Sequence, residues 1–278
     1  MTQIREPVVA GAFYPGTRAA LSDALSRLFG EPLRRPVLPR SAPIGLVVPH
    51  AGYVYSGAVA AVGYRALAAG GAPQWAIILG ANHTGAGQPI SLAREGAWRT
   101  PLGVAAIATA IADRLVGAGV PVAPEAFAHE HSIEVQLPFL QFLFGEEIPF
   151  VPICVMLPRI ADLLALGKAL AQMSRGSRGA LIVSSDFTHY EPEQTARALD
   201  HRALERILAL DAEGFYERLL RERLSICGGA AITALLAAAR HLNWKADLVA
   251  YATSADAGAD PGAVVGYAAA SFEEETHG

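Results

Sequence analysis

Cysteine is nearly missing from this chain of 278 residues, which carries only Cys154 and Cys227. Two cysteines in unlike surroundings exclude a disulfide framework, and a reducing compartment fits. Lysine is scarce as well: nearly all positive charge is arginine, and no basic cluster stands out. With a net charge of −4 and a pI of about 6.1, the chain offers nothing for nucleic acid or an anionic membrane surface. Long unbroken apolar runs are also lacking, although 52% of the residues are hydrophobic and the mean hydropathy is +0.31. A spanning helix needs roughly 20 nearly uninterrupted apolar residues. The richest stretch, Leu137 to Met156, is cut by Gln141, Gly145, Glu146, Glu147 and prolines, and the Ala-rich segments are broken by Arg65, Asp113 and Arg114. From Met1 to Gly16 no basic region precedes an apolar run, so no secretory signal is expected and a cytoplasmic location is. A P-loop and a strand-to-helix G-x-G-x-x-G are both absent, which argues against nucleotide binding.

What is present is an alternation of two kinds of segment. Short apolar runs read as buried strands at Ile44 to Val48, Trp75 to Leu79, Phe150 to Met156 and Ala180 to Val183. Longer periodic runs read as helices at Thr17 to Phe29, Gly57 to Ala69, Ala106 to Val116, Ser132 to Phe144, Ile160 to Met173, Pro192 to Leu208, Asp211 to Leu220 and Ala230 to His241. Strands that are apolar on both faces and alternate with helices imply an α/β fold, its sheet covered by helices on both sides. Asp247 to Thr253 and Val264 to Phe272 have little helix between them and are expected to pair antiparallel, making the sheet mixed. The Pro/Arg-rich Glu31 to Pro43 reads as a connector rather than a boundary, so a single domain over residues 1–278 is expected.

Polar residues of ligand type gather where strands end. One strand runs into Pro49-His50-Ala51-Gly52-Tyr53, a second into Asn82-His83-Thr84-Gly85, and a third into Ser184-Ser185-Asp186-Phe187-Thr188-His189-Tyr190. Ligands of open α/β sheets bind beyond the carboxyl ends of the strands, so parallel neighbours would bring His50, His83, Asp186 and His189 to one crevice. Cys227, in Ser225-Ile226-Cys227-Gly228-Gly229, lies just ahead of a helix whose positive end favours thiolate. Cys154 sits in an apolar strand and reads as an inert buried thiol. In His129-Glu130-His131-Ser132-Ile133-Glu134, His131 and Glu134 share a face if helical, while His129 and His131 do so if extended. The blander reading there is a helix start capped by Ser132. His201, His241 and His277 read as solvated surface. Tyr53, Tyr55, Tyr190, Phe187 and Trp98 lie near these motifs, where packing is the commoner role for an aromatic.

Seven segments taken together resemble the Memo family, known in microbes as protein B of the AmmeMemoRadiSam system. They are REPVVAGAFYPG, PHAGYVYSG, ILGANHTG, WRTPLG, EHSIEVQLPFL, VSSDFTHYEP and SICGG, in family order from Arg5 to Gly229. The resemblance implies a fold similar to the class III extradiol dioxygenases, whose sites hold non-haem Fe(II). It implies a metal pocket of His50, His83 and Cys227, with Asp186, His189 and His131 as further pocket residues in catalytic roles. His129 has no counterpart in the motif. Two departures stand out: Thr84 replaces a second histidine found in some relatives, and Gly229 replaces an arginine.

Two histidines and an anionic ligand leave positions open on a metal, as the 2-His-1-carboxylate set does for Fe(II) oxygenases. A thiolate in place of the carboxylate is softer, so the expected ion is iron, with copper or zinc as alternatives. The leading expectation is metal-dependent redox chemistry on a small substrate, with aromatic compounds among the candidates. Extradiol cleavage itself fits less well, because the carboxylate ligand is replaced. A second expectation is a non-catalytic binding component that works with an AMMECR1-like protein and a radical-SAM enzyme, or that takes a small-molecule or peptide ligand. A third is a cysteine hydrolase with Cys227 as nucleophile, His189 or His50 as base and Asp186 as orienter.

Overall fold

The computed structural model describes residues 3–30 and 44–274. The connector from Glu31 to Pro43 and His277 lie outside the described residues. In chain order the elements are β1 (Ile4–Arg5), α1 (Arg18–Phe29), β2 (Ile44–Val48), α2 (Tyr53–Ala69), β3 (Ala76–Ala81), β4 (Ile90–Leu92), β5 (Ala97–Thr100), β6 (Gly103–Ala106), α3 (Thr109–Gly117), α4 (Leu137–Phe144), β7 (Phe150–Val155), α5 (Ile160–Ser174), β8 (Ala180–Ser184), β9 (His189–Glu191), α6 (Glu193–Leu208), α7 (Ala212–Arg221), α8 (Gly229–Leu242), β10 (Trp244–Thr253) and β11 (Val264–Glu274).

The central sheet runs β10-β11-β2-β8-β3-β7-β4, with β9 also paired to β11. Its middle, β2-β8-β3-β7, is parallel. The flanks are antiparallel: β11 against β2, β10 against β11, and β4 against β7. The sheet is therefore mixed, as the closely spaced last two strands required. A small second sheet joins β1, β5 and β6.

The parallel strands are buried along their whole length. Strand alternation divides their side chains between two cores. Val47, Leu79, Ile153 and Val183 face the layer of α3, α5, α7 and α8, while Leu46, Val48, Ile78 and Ile182 face α1, α2 and α4. This two-sided coverage explains why these strands read as continuous apolar runs. Among the described residues, no helix is long and apolar enough to cross a membrane.

Three boundaries differ from the sequence expectation, each for a local reason. Helix α2 starts at Tyr53 instead of Gly57, because Gly52 occupies the N-cap position in a near-extended conformation. The span expected to be helical from Ala106 begins as the end of β6, and the helix starts at Thr109. The β5–β6 hairpin turns at Pro101 and Leu102, where Thr100 Oγ1 accepts from the Leu102 amide at 3.1 Å. Ser132 does not cap a helix. Residues Glu134–Gln136 form a short 3-10 turn, and α4 begins only at Leu137. The reason lies in the side chains, since Ser132, Glu134 and Gln136 all turn inward to polar partners.

Candidate metal centre

The parallel order brings the ends of β2, β8 and β3 side by side, and the loops that follow them carry His50, Asp186 and His83. A fourth segment, His129–Gln136, crosses these ends. It can lie that close because Gly80 has no side chain: a Cβ there would collide with Ser132 Oγ and come within 2.6 Å of Ile133. The start of α8 presses in from the opposite layer. A Cβ on Gly228 would lie 2.6 Å from Ser185 Cβ and 2.8 Å from the Ser184 carbonyl. Two glycines thus allow backbone contact that delivers His131 into the group formed with His50 and His83, and brings Cys227 against His50 at the edge of that group.

Three imidazoles meet there. One ligand atom from each of His50, His83 and His131 lies within 4.8 Å of the others. The His83 and His131 rings stack, and His50 stands edge-on to both. Cys227 Sγ lies 3.3 Å from His50 Nε2. Metal bonds of about 2.1 Å to nitrogen and 2.3 Å to sulfur, at angles of 90–109°, put two donors on one ion about 3.1–3.6 Å apart. The His50–Cys227 spacing falls in that range.

Each donor has a defined support. Glu130 is fully buried and accepts from His83 Nδ1 at 2.9 Å, the His83 amide at 2.6 Å, the His131 amide at 2.9 Å and the Ser132 amide at 2.8 Å. A carboxylate at Nδ1 makes that nitrogen the donor and leaves His83 Nε2 with a free lone pair. Asp186 Oδ1 accepts from the His50 and Ala51 amides at 2.7 and 3.2 Å, and its Oδ2 lies 4.0 Å from His50 Nε2. The Asp186 amide points at Cys227 Sγ, 3.2 Å away. His189 is tied to Ser225 through its amide and Nδ1, both at 2.8 Å, rather than to the imidazole cluster.

The electrostatics follow from burial and from Glu130. His50 is only 2% exposed; burial pulls its pKa down to about 4, against the pull of Asp186, so the ring is neutral. His131 is lowered by burial too. For His83, burial also lowers the value, but the hydrogen bond and charge of Glu130 outweigh it and the net direction is up. Burial opposes the charge on Glu130, yet the His83 contact and the backbone donors hold its carboxyl down at about 2. Cys227 runs against the sequence expectation. Burial and the nearby Asp186 charge push its thiol well up, outweighing the amide donors around the sulfur and any pull from the end of α8. With no ion beside it, Cys227 is a thiol.

Other residues fall away from the cluster. Cys154 is fully buried, as expected, and burial raises its thiol strongly. His129, His201 and His241 are exposed. Trp98 is buried beneath the Arg5 guanidinium, Phe187 is fully buried, and Tyr53 donates to the Val135 carbonyl, so these three are packing residues. Phe13 is the aromatic that touches the cluster, edge-on to His131 at 4.9 Å. It is held by the N-terminal segment, whose anchor is buried Glu134. That carboxylate accepts from Arg5, the Val8 and Val9 amides and the Tyr14 hydroxyl. Glu130 and Phe13 are neighbours of the cluster that sequence reading did not single out, and their signal was membership of the EHSIE and AGAFYPG segments. Glu134 was singled out only as sharing a helical face with His131, and it instead anchors the N-terminal segment.

Fold and site together define an α/β protein with an imidazole-lined candidate metal pocket at the carboxyl ends of the parallel strands of a mixed sheet. The chain belongs to the Memo-like protein family, whose model matches residues 5–271. It is 42% identical over 278 residues to a MEMO1 family protein of Desulfurococcus amylolyticus, covering 96% of this chain and 98% of that one. A MEMO1 family protein of Methanosarcina mazei is 41% identical over 271 residues, with the same coverage. One of Nitrosopumilus maritimus is 35% identical over 274 residues, covering 97% of this chain and 99% of that one. The crystal structure of an uncharacterized Escherichia coli K12 protein superposes with a TM-score of 0.57 at 14% identity, covering 82% of this chain and 98% of that one; this likeness bears on the fold alone.

Proposed function

We propose that the chain binds a single metal ion through His50, His83 and Cys227 and uses it in redox chemistry on a small substrate, with aromatic compounds among the candidates. The observation that carries the reading is the His50 Nε2–Cys227 Sγ spacing of 3.3 Å beside a cluster of three imidazoles. Two neutral nitrogens and one sulfur suit iron best on the reading of the donor set as a thiolate variant of the facial triad, with copper or zinc as alternatives. His131 is a third nitrogen, and a fourth donor, within reach. The ion would supply Lewis acidity or electron transfer to a bound ligand. The chain's own residues would do the rest: Asp186 orients the His50 loop and the Cys227 sulfur, Phe13 walls the pocket beside His131, and His189 keeps a free Nε2 for proton transfer. The test is anaerobic purification, loading with Fe(II), and measurement of metal content and oxygen consumption. About one equivalent per chain, with oxygen uptake lost in His50→Ala and Cys227→Ala, is expected. Absence of stoichiometric metal under every loading condition would end the proposal.

A second reading is a binding component that assembles with an AMMECR1-like protein and a radical-SAM enzyme in a cytoplasmic system. Large uncovered groups favour it: Val54 is 80% exposed and Tyr190 is 78% exposed. Partner capture that persists unchanged in His50→Ala and Cys227→Ala would favour assembly over catalysis.

A further inference from the structure

Ser184, the last residue of β8, sits behind His50 on the side away from Cys227. Its hydroxyl oxygen has three polar neighbours: the Ser132 carbonyl at 2.7 Å, Gln136 Nε2 at 2.7 Å and His50 Nδ1 at 3.0 Å. All four residues are buried, His50 at 2% exposure and the others at 0%. Water is thus excluded as a substitute partner, and every proton must be accounted for within the protein.

Only one arrangement of protons satisfies these groups. A hydroxyl has one hydrogen to give and two lone pairs to receive with. The Ser132 carbonyl can only accept, so the hydroxyl proton goes there. Gln136 Nε2 also faces the Pro49 carbonyl at 2.9 Å, which fixes that atom as the amide nitrogen rather than its oxygen. Its oxygen, on the other side, takes the Tyr64 hydroxyl at 3.1 Å. The amide therefore donates one hydrogen to Pro49 and the other to Ser184. One lone pair on Ser184 remains, and His50 Nδ1 must donate to it. The opposite arrangement would turn the serine proton toward His50 and leave two bare oxygens facing each other at 2.7 Å.

We propose that Ser184, held in orientation by Gln136 and the Ser132 carbonyl, is a positioning residue that fixes His50 as the Nδ1–H tautomer and so keeps the Nε2 lone pair turned toward Cys227 and the pocket. The same presentation is given to His83 by Glu130, but with a carboxylate behind it. The two imidazoles are therefore matched in direction and unequal in donor strength, since a carboxylate behind a ring makes it the more basic ligand. The consequence for metal affinity rests on the metal-binding reading of the site. The tautomer does not.

The test uses the full chain, metal-free and labelled with 15N-histidine, and reads long-range proton–nitrogen correlations at neutral pH. The expected spectrum of His50 has a protonated Nδ1 and a bare Nε2. In Ser184→Ala the buried Nδ1–H loses its acceptor, and the population moves toward Nε2–H, which can donate to Cys227. Zinc affinity is expected to fall about 10–100-fold in that variant, and Ser184→Thr, which keeps the hydroxyl, restores both the tautomer and the affinity. A wild-type His50 protonated at Nε2 overturns the inference, and so does a Ser184→Ala protein that keeps the Nδ1–H form in full. If Ser184→Ala does not fold, the wild-type spectrum decides alone. A wild-type chain with the expected tautomer that takes up no zinc would refute the metal reading and leave the role of Ser184 standing.

Discussion

Replacing Glu130 by glutamine separates charge from shape at the best-supported carboxylate of the site. The side chain is fully buried and takes hydrogen bonds from His83 Nδ1 and from the amides of His83, His131 and Ser132. Its carboxyl falls from 4.5 to about 2 on folding. At about 1.4 kcal/mol for each pKa unit, ionised Glu130 contributes on the order of 3 kcal/mol at neutral pH. A glutamine keeps one acceptor oxygen but turns an NH2 group toward donors that then have no partner, a cost of similar size. Because the folded value lies below the unfolded one, the contribution is complete above pH 4.5 and is lost as pH falls through about 2. At pH 3 about 1.4 kcal/mol should remain. Urea unfolding of the wild-type and Glu130→Gln chains at pH 7 and pH 3 measures both numbers. A loss under about 1 kcal/mol at pH 7, or an equal loss at the two pH values, would refute the assignment of Glu130 as a charged support.

Three further outcomes are expected. His50 is neutral and buried, with its pKa lowered from 6.5 to about 4, so the unfolded chain binds more protons in that window. Stability should rise with pH from about 4 to 6.5 and level off above, and His50→Gln should flatten that rise in unfolding curves taken across the range. Gly228→Ala would set a methyl 2.6 Å from Ser185 Cβ, so thermal unfolding should show a loss of about 1–3 kcal/mol. Glu134→Gln breaks the anchor of the N-terminal segment, since Glu134 pairs with Arg5 at 2.7 Å and is fully buried. Breaking such a pair costs about 3–5 kcal/mol, and hydrogen exchange at the Val8 and Val9 amides should speed up markedly more than exchange in β8.

Much of this architecture was readable in the letters because it rests on hydrophobic pattern. The buried parallel strands are apolar runs, and their polar ends announce themselves, so His50, His83 and Asp186 could be named before any coordinates. What the pattern hid depends on contacts between distant segments. Glu130 is one acid among several in a polar stretch, and only the fold turns it under His83. Ser184 reads as the first polar residue after a strand, with no role of its own until Gln136, far along the chain, reaches it. The thiolate expected at Cys227 failed for a related reason. Only the end of α8 lies beside Cys227 in the chain, whereas the nearby Asp186 charge and the burial come from elsewhere in the fold. Short strands such as β4, β5 and β6 were missed because three or four residues carry too little periodicity to separate from a loop.

The central claim is that residues distant in sequence share one ion, and X-ray absorption on the zinc-loaded protein addresses it directly. The account predicts two or three nitrogen neighbours near about 2.0–2.1 Å and one sulfur near about 2.3 Å, with the sulfur shell gone in Cys227→Ser and the nitrogen shell reduced in His50→Ala. A spectrum of oxygen neighbours only, unchanged in both variants, would contradict it.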